Sequence, residues 1–115
     1  MPQTQAWTLE GAEGETIYGV TDMPDGQPRG VMVLCHGLKG YKEYGFFPQL
    51  AAEAARRGLI AHRCNFSHSG MTERIETFER PDLFERDTLS KQIADLKRVV
   101  RAIAEGEIAG QGLPM

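Results

Sequence analysis

The residues with the clearest chemical potential lie between Cys35 and Gly40, where the sequence reads CHGLKG. They follow the apolar run Val31 to Leu34, which is typical of a strand buried on both faces of a parallel sheet. Active sites of parallel sheets lie at the carboxyl ends of the strands. A glycine here permits a tight turn and close backbone approach, so Gly37 leaves the amide of Leu38 free to face an incoming oxygen. The segment predicts an oxyanion hole with the Leu38 N–H as one donor.

The residues around this amide also have structural interpretations. The ring of His36 is expected to bond the backbone of the turn, and Gly37 and Gly40 serve as turn glycines, a role compatible with amide exposure. A second turn is expected where the next strand ends. Its residues are predicted to line the mouth of the cleft: Asn65, Ser67, His68 and Gly70.

Two other groups of residues carry nucleophiles, and for both a structural role is favoured. Ser67, His68 and Ser69 are adjacent on a loop, whereas proton transfer needs a geometry of about 3 Å and a third orienting group. Cys35 and His36 are neighbours on a strand end, where successive side chains point to opposite faces, and this disfavours a thiol dyad. We expect no catalysis from either group.

Metal binding is not predicted either. His62 and Cys64 share a strand face and His68 follows, but the spacing matches no standard zinc pattern and a fourth ligand is missing. His62 is expected to be a packed or partly exposed strand residue. The two cysteines, Cys35 and Cys64, are expected to remain free thiols, and no cofactor is expected.

Composition limits the partners. The chain has 115 residues, 41% of them hydrophobic and 25% charged, which is typical of one ordinary soluble domain. Its 13 basic and 16 acidic residues are interleaved, so no basic stripe indicates a nucleic-acid partner. The longest apolar run, Val31 to Cys35, is far below the ~18 residues of a membrane span, and no signal-peptide profile precedes it. We expect a cytoplasmic protein that binds neither nucleic acid nor membrane.

The elements that position the turn follow from hydrophobic periodicity and from glycine and proline punctuation. They are a β-hairpin (Gln5 to Leu9 and Glu15 to Val20), a strand (Val31 to Leu34), a helix (Phe46 to Arg57), a strand (Leu59 to Phe66), a short helix with a capping box (Asp82 to Glu85) and a long helix (Asp87 to Glu105). The first helix is predicted to bury Phe47, Leu50, Ala51, Ala54 and Ala55, and the long helix Leu89, Ile93, Leu96, Val99 or Val100, and Ile103. Strand, helix and strand form a right-handed parallel unit, so the fold class is α/β.

In this order the segments resemble the α/β-hydrolases, specifically the esterases related to dienelactone hydrolase and to serine aminopeptidase. The resemblance runs from about Ala6 to Met115. It is carried by HGLKG at 36–40, YGFFP at 44–48, the small-residue helix ending at Gly58, RCNFSHSG at 63–70, and the later helix with Gln92 and Asp95.

The resemblance implies a serine hydrolase that cleaves carboxylic esters or related acyl compounds through an acyl-enzyme, with the residue after His-Gly, here Leu38, as one oxyanion donor. In the family His36 would shape the loop and transfer no proton. The other donor follows the serine of a G-x-S-x-G elbow, and this chain contains no such motif. The family's acid and histidine come after that elbow. We therefore predict a single partial domain over 1–115, the N-terminal half of an α/β-hydrolase, which ends before the nucleophile strand and is inactive alone.

The sheet order of the family begins 1-2-4-3-5, so Val31 to Leu34 would lie at an open edge without the fifth strand. An apolar edge with free N–H and C=O groups pairs readily with another strand. We expect self-association through this edge, a C-terminal half bound there, or poor solubility. The alternative function is that of a non-catalytic remnant, or of a domain that binds a partner through the open edge.

Overall fold

The computed structural model describes residues 3–37, 40–74 and 77–115. In chain order the elements are β1 (Gln3–Glu10), a 3-10 turn (Ala12–Gly14), β2 (Thr16–Met23), β3 (Gly30–Leu34), α1 (Phe47–Arg56), β4 (Leu59–Asn65), α2 (Pro81–Glu85) and α3 (Leu89–Ala104). The described strands form one mixed sheet in the order β1-β2-β4-β3.

The predicted hairpin is present. β1 and β2 pair antiparallel, with Gln3 opposite Met23 and Glu10 opposite Thr16. Trp7 lies against its cross-strand partner Gly19, where an added Cβ would come within 2.2 Å of the indole. The glycine therefore makes room for the chain's single tryptophan on the sheet surface.

The predicted parallel unit is also present. β3 and β4 run parallel, with Gly30 opposite Leu59 and Leu34 opposite Arg63. Helix α1 connects them, with a proline in its first turn and Gly58 after its last turn at φ +91, in the left-handed region that favours glycine. β4 pairs with β2 on its other side, so β3 forms an edge of the described sheet.

Two cores lie on opposite faces of the sheet. Ile60 and Cys64 of β4 pack on the α3 side with Val99 and Ile103. The intervening β4 residue Ala61 packs on the α1 side. This alternation along one strand is what a sheet covered on both faces requires.

Helix α1 buries only part of its predicted inner face. Ala51, Ala54 and Ala55 are buried, whereas Phe47 is half-buried and Leu50 is exposed. The alanines let the helix lie close to Ala61 of β4, and the larger side chains are left at the rim of that contact.

Helix α3 differs more from its prediction. Ile103 is buried, and of the two alternatives Val99 and Val100 it is Val99 that is buried. Leu89 and Ile93, predicted to be buried, are 71% and 47% exposed, and Val100 is 38% exposed. The apolar stripe of the helix is therefore wider than the surface that the described sheet covers.

The capping box predicted at Asp82 to Glu85 does not form. Pro81 sets the first turn of α2, and Arg80 takes the N-cap position without a side-chain cap. Asp82 instead forms an ion pair with Arg80 at 2.9 Å. Among the residues that the structure describes, no helix combines the length and hydrophobicity that crossing a bilayer requires.

Candidate functional site

The loop that leaves β3 forms a tight turn around one carbonyl group. The Gly37 oxygen accepts the Gly40 N–H at 2.9 Å and lies 2.9 Å from Nδ1 of His36. A Cβ at residue 40 would stand 2.7 Å from the Cβ of His36, so the turn closes only because this residue is glycine. Leu38, the predicted oxyanion donor, lies outside the described residues.

The ring of His36 joins this loop to the end of β4. The Phe66 N–H donates to Nε2 at 3.1 Å, which requires Nε2 to be unprotonated, so Nδ1 carries the hydrogen and donates to Gly37. Burial lowers the pKa of His36 and keeps this neutral form. The ring also packs on Phe66, with centroids 4.8 Å apart. Both ring nitrogens are therefore occupied by backbone groups.

The turn after β4 is buried along its whole length, including Asn65, Ser67, His68 and Gly70. Asn65 accepts the Lys42 N–H at 2.6 Å and donates to the Thr72 carbonyl at 2.7 Å. Phe78 lies against Gly70 in a segment that crosses over the turn. Residues 71–74, residues 77–80 and the β1–β2 turn contact these residues in the described structure. Their position at the mouth of a cleft in a complete hydrolase stays a prediction.

Ser67 and His68 form a hydrogen-bonded chain that their sequence adjacency did not predict. Ser67 Oγ lies 2.9 Å from His68 Nδ1, and His68 Nε2 lies 3.0 Å from a carboxylate oxygen of Glu13. The pKa of Glu13 is lowered by its hydrogen bonds to His68 and to Lys91. This is the 3 Å geometry with a third group that proton transfer needs.

This hydrogen-bonded series of Ser67, His68 and Glu13 is nevertheless not a nucleophilic site. Ser67 Oγ donates its hydrogen to Asp95 Oδ2 at 2.8 Å, so the hydroxyl is committed to a carboxylate. Ser67 is 2% exposed and His68 is fully buried, so an ester carbonyl has no access to them in this structure. These hydrogen bonds instead hold together the β1–β2 turn, the turn after β4 and helix α3.

Asp95 is the main residue that sequence reasoning missed. It is 1% exposed, in the middle of α3, and it also accepts the Ser67 N–H at 2.7 Å and the Ala12 N–H at 2.8 Å. The sequence does contain a signal for its burial, because Asp95 lies on the same face of the helix as Val99 and Ala102, four and seven residues later. The resemblance had marked the position but assigned it no contact.

A second buried charge network lies on the α1 side of β4. Glu43 binds Lys42 Nζ at 2.7 Å and an Arg63 guanidinium nitrogen at 3.1 Å through the same oxygen. Arg63 also lies 3.9 Å from Asp22, whose Oδ1 has no hydrogen-bond partner. Two cations and two anions balance, which is what permits their burial.

His62 and the two thiols are not part of these networks. His62 is fully buried, with Nδ1 2.6 Å from Thr21 Oγ1 and Nε2 2.8 Å from the Ala109 carbonyl. Burial lowers its pKa. Cys64 is buried and Cys35 is exposed; both are free, and desolvation raises the pKa of each thiol. Within 3–37, 40–74 and 77–115, no three His, Cys, Asp or Glu side chains are grouped as a metal site.

The outer side of β3 carries one backbone hydrogen bond to the tail of the chain. The Val31 N–H donates to the Pro114 carbonyl at 2.8 Å. Hydrogen-bonding groups alternate along a strand, so the amide of Val33 faces the same outer side. The edge is thus bonded to the tail of the chain at its start and has no strand neighbour on that side in the part of the chain that the structure describes.

Comparison with known proteins identifies solved structures that share the fold of this chain. No protein-family model and no curated protein matches the sequence. A cold-adapted esterase from an Arctic intertidal metagenomic library superposes with a TM-score of 0.71 and 25% identity over 92% of this chain and 46% of that chain. An α/β serine hydrolase without a lid from Xanthomonas campestris gives 0.61 and 19% over 90% and 45%, and a serine hydrolase homologue from Coxiella burnetii 0.63 and 20% over 89% and 46%.

The chain therefore spans less than half the length of these structures. It has a partial α/β-hydrolase fold, and it is similar over most of its length to esterases and serine hydrolases of that fold.

Proposed function

We propose that this chain is the N-terminal portion of a serine hydrolase acting on carboxylic esters or related acyl compounds, and that it contributes the oxyanion-hole loop. The observation that carries the proposal is the Gly37 carbonyl, fixed by His36 Nδ1 and the Gly40 N–H at 2.9 Å each. These two hydrogen bonds fix the position of the carbonyl directly before Leu38, whose amide is the proposed oxyanion donor.

The rest of the active site is proposed to come from a second part of the protein. A G-x-S-x-G nucleophile elbow is absent from the sequence, and the buried Ser67 is committed to Asp95. The chain alone is thus expected to lack ester hydrolysis, because an oxyanion hole without a nucleophile only positions substrate. The similarity to an esterase of about twice this length, 46% of which matches 92% of this chain, supports the same division.

The second part is proposed to bind at the outer edge of β3, where Val31 already pairs with the tail and the Val33 amide is directed outward. The same open edge supports the second candidate function, a non-catalytic domain that pairs with a copy of itself or with a partner strand. In either case the ligand of the edge is a β-strand. The proposed location is the cytoplasm, supported by two thiols that form no disulfide.

A fluorophosphonate probe, which labels activated serines, separates the candidates. The probe is applied to this 115-residue chain and to the natural protein in an extract of its source, whose intact mass is then measured. We expect labelling of a protein well above 12.8 kDa that contains this sequence, and none of the chain alone. Labelling of the chain itself, or a natural mass of 12.8 kDa, would overturn the proposal.

The donor assignment has its own variant. Leu38→Pro in the complete protein removes the amide hydrogen, and we expect ester turnover to fall by at least ~10²-fold. Leu38→Ala keeps the amide and is the matched control, with turnover close to that of the unmodified protein. Equal turnover in the two variants contradicts the assignment.

The edge assignment is tested by Val33→Pro. Proline removes the outward N–H and is tolerated on an edge strand, so the β3–β4 ladder is expected to persist. Light scattering should show loss of self-association, or loss of binding to the second part, in Val33→Pro and not in Val33→Ala. Association unchanged by the proline would exclude the β3 edge as the contact.

A further inference from the structure

Asp95 carries a buried charge in the middle of α3, and every hydrogen bond it accepts comes from outside that helix. Its Oδ1 accepts the Ala12 N–H, and its Oδ2 accepts both the N–H and the hydroxyl of Ser67. A buried carboxylate is stable in a protein only when it is hydrogen-bonded in this way. The carboxylate thus ties the β1–β2 turn and the turn after β4 to one rigid helix.

The Asp95 carboxylate comes very close to the backbone of the β1–β2 turn at Gly11. A Cβ at Gly11 would lie 2.5 Å from Asp95 Oδ1, so the β1–β2 turn comes this close only because residue 11 has no side chain. On the other side of the carboxylate, Ser67 contributes two donors from one residue. The carboxylate therefore holds both the main chain and the side chain of Ser67.

The fixed backbone continues to the candidate oxyanion loop. Phe66 precedes Ser67, and its N–H donates to His36 Nε2 at 3.1 Å. The opposite nitrogen of that ring donates to the Gly37 carbonyl at 2.9 Å. Each link in this series is a hydrogen bond or a single peptide unit.

We propose that Asp95 is the positioning residue of the oxyanion loop. It acts through the Phe66–Ser67 backbone, which orients the His36 ring and thereby the Gly37 carbonyl. Asp95 touches neither substrate nor reacting atoms. The proposal rests on the proposed function for the identity of the loop, but its test reads the hydrogen bond to His36 and needs no ester turnover.

The N–H···N bond between Phe66 and His36 has a spectroscopic signature, a scalar coupling between the two nitrogens across the hydrogen bond in ¹⁵N-labelled protein at pH 7.5. Asp95→Asn keeps the shape of the side chain but replaces one acceptor oxygen by an NH2 group. We expect the coupling to disappear and the ¹⁵N signals of the His36 ring to lose the pattern of a single Nδ1–H tautomer.

Glu13→Gln is the matched control, because Glu13 belongs to the same cluster but contacts His68 and Lys91 rather than Asp95. The coupling should persist in this variant. A coupling that survives Asp95→Asn, or that is lost equally in both variants, would overturn the proposal. Failure of the fluorophosphonate experiment with the coupling result intact would overturn the enzymatic function and leave the positioning of the loop in place.

Hydrogen exchange in the unmodified chain decides the question if Asp95→Asn does not fold. The amides of Ala12, Ser67 and Phe66 depend on the same arrangement, so they should open as one unit with the same denaturant dependence. If the Phe66 amide is less protected than the Ser67 amide by about 10-fold or more, the two hydrogen bonds open independently, and this would refute the proposal.

Discussion

His36 and His62 are both held as neutral rings, and this makes the stability of the chain depend on pH in a defined direction. Phe66 donates to His36 Nε2, and Thr21 lies 2.6 Å from His62 Nδ1. Burial lowers the pKa of both rings below the ordinary value of 6.5. In the unfolded chain both histidines regain that value, so the unfolded state binds protons first as the pH falls.

The sign and size follow from proton linkage. Stability rises with pH wherever the unfolded state holds more protons, so the contribution is complete above pH 6.5 and is lost as the pH decreases below it. From pH 7.5 to 5.5, each ring that stays neutral in the folded state costs about 1.4 kcal/mol, and the two together about 2.7 kcal/mol at most. This is a large fraction of the ~5–15 kcal/mol that stabilises a typical domain.

Urea unfolding followed by the fluorescence of Trp7, the single tryptophan, measures this change. His62→Gln removes one of the two proton uptakes, so the loss between pH 7.5 and 5.5 should shrink, by at most about 1.4 kcal/mol, whatever the variant does to stability at pH 7.5. Carboxylates titrate mostly below this window. A free energy of unfolding that is flat or increases as the pH falls to 5.5 would refute the reasoning.

Two further substitutions test the packing around the same rings. Thr21→Val leaves Trp7 Nε1 and His62 Nδ1 without their shared hydroxyl, which Trp7 reaches at 2.7 Å, and we expect a loss of about 2–4 kcal/mol in urea unfolding. Gly40→Ala places a Cβ 2.7 Å from that of His36, and we expect about 1–3 kcal/mol of destabilisation together with a shift of the His36 ring resonances.

Each of these substitutions has a control in the same chain. Thr8→Val makes the same chemical change at an exposed position of β1, and Gly26→Ala adds a Cβ with no atom within 4 Å. Both should alter the free energy of unfolding by less than about 0.5 kcal/mol. A control that costs as much as its partner would show that the substitution itself, and not the contact, causes the loss.

The secondary structure was predictable because its signals are local. The hairpin and the β3–α1–β4 unit are marked by alternation, by a proline in the first turn of α1 and by Gly58 after its end. The turn at Gly37 was predictable for the same reason. Element ends moved by one to three residues, the most at the end of β2, because hydrogen bonding rather than composition defines them.

The polar networks were not predictable, because their partners are distant in sequence. Asp95 and Ala12 are 83 residues apart, and Ser67 is 28 residues from Asp95. Arg63 and Glu43 are 20 residues apart. Nothing in the local pattern around these residues specifies the partner, so burial of the charges becomes evident only when the sheet is assembled.

The exposure of the apolar residues of α3, of which Leu89 and Ile93 were predicted to be buried, has a different cause. Leu89, Ile93 and Val100 are separated by four and seven residues, so they share one helix face and form a stripe rather than scattered apolar positions. Contiguous exposed apolar surface marks a contact that is not made within the chain. Under the proposed function, hydrophobic periodicity reflects the burial of a residue in the complete hydrolase, whereas the structure shows its burial in these 115 residues.

Under the proposed function, the stripe and the open edge of β3 would both be covered by the remaining part of the hydrolase. The two features are independent, one a set of side chains on a helix and the other a row of backbone groups on a strand. The esterase that superposes on 92% of this chain does so with 46% of its own length. The disagreement between the helical pattern and the exposed stripe is thus what a sequence selected for a larger folded unit should produce.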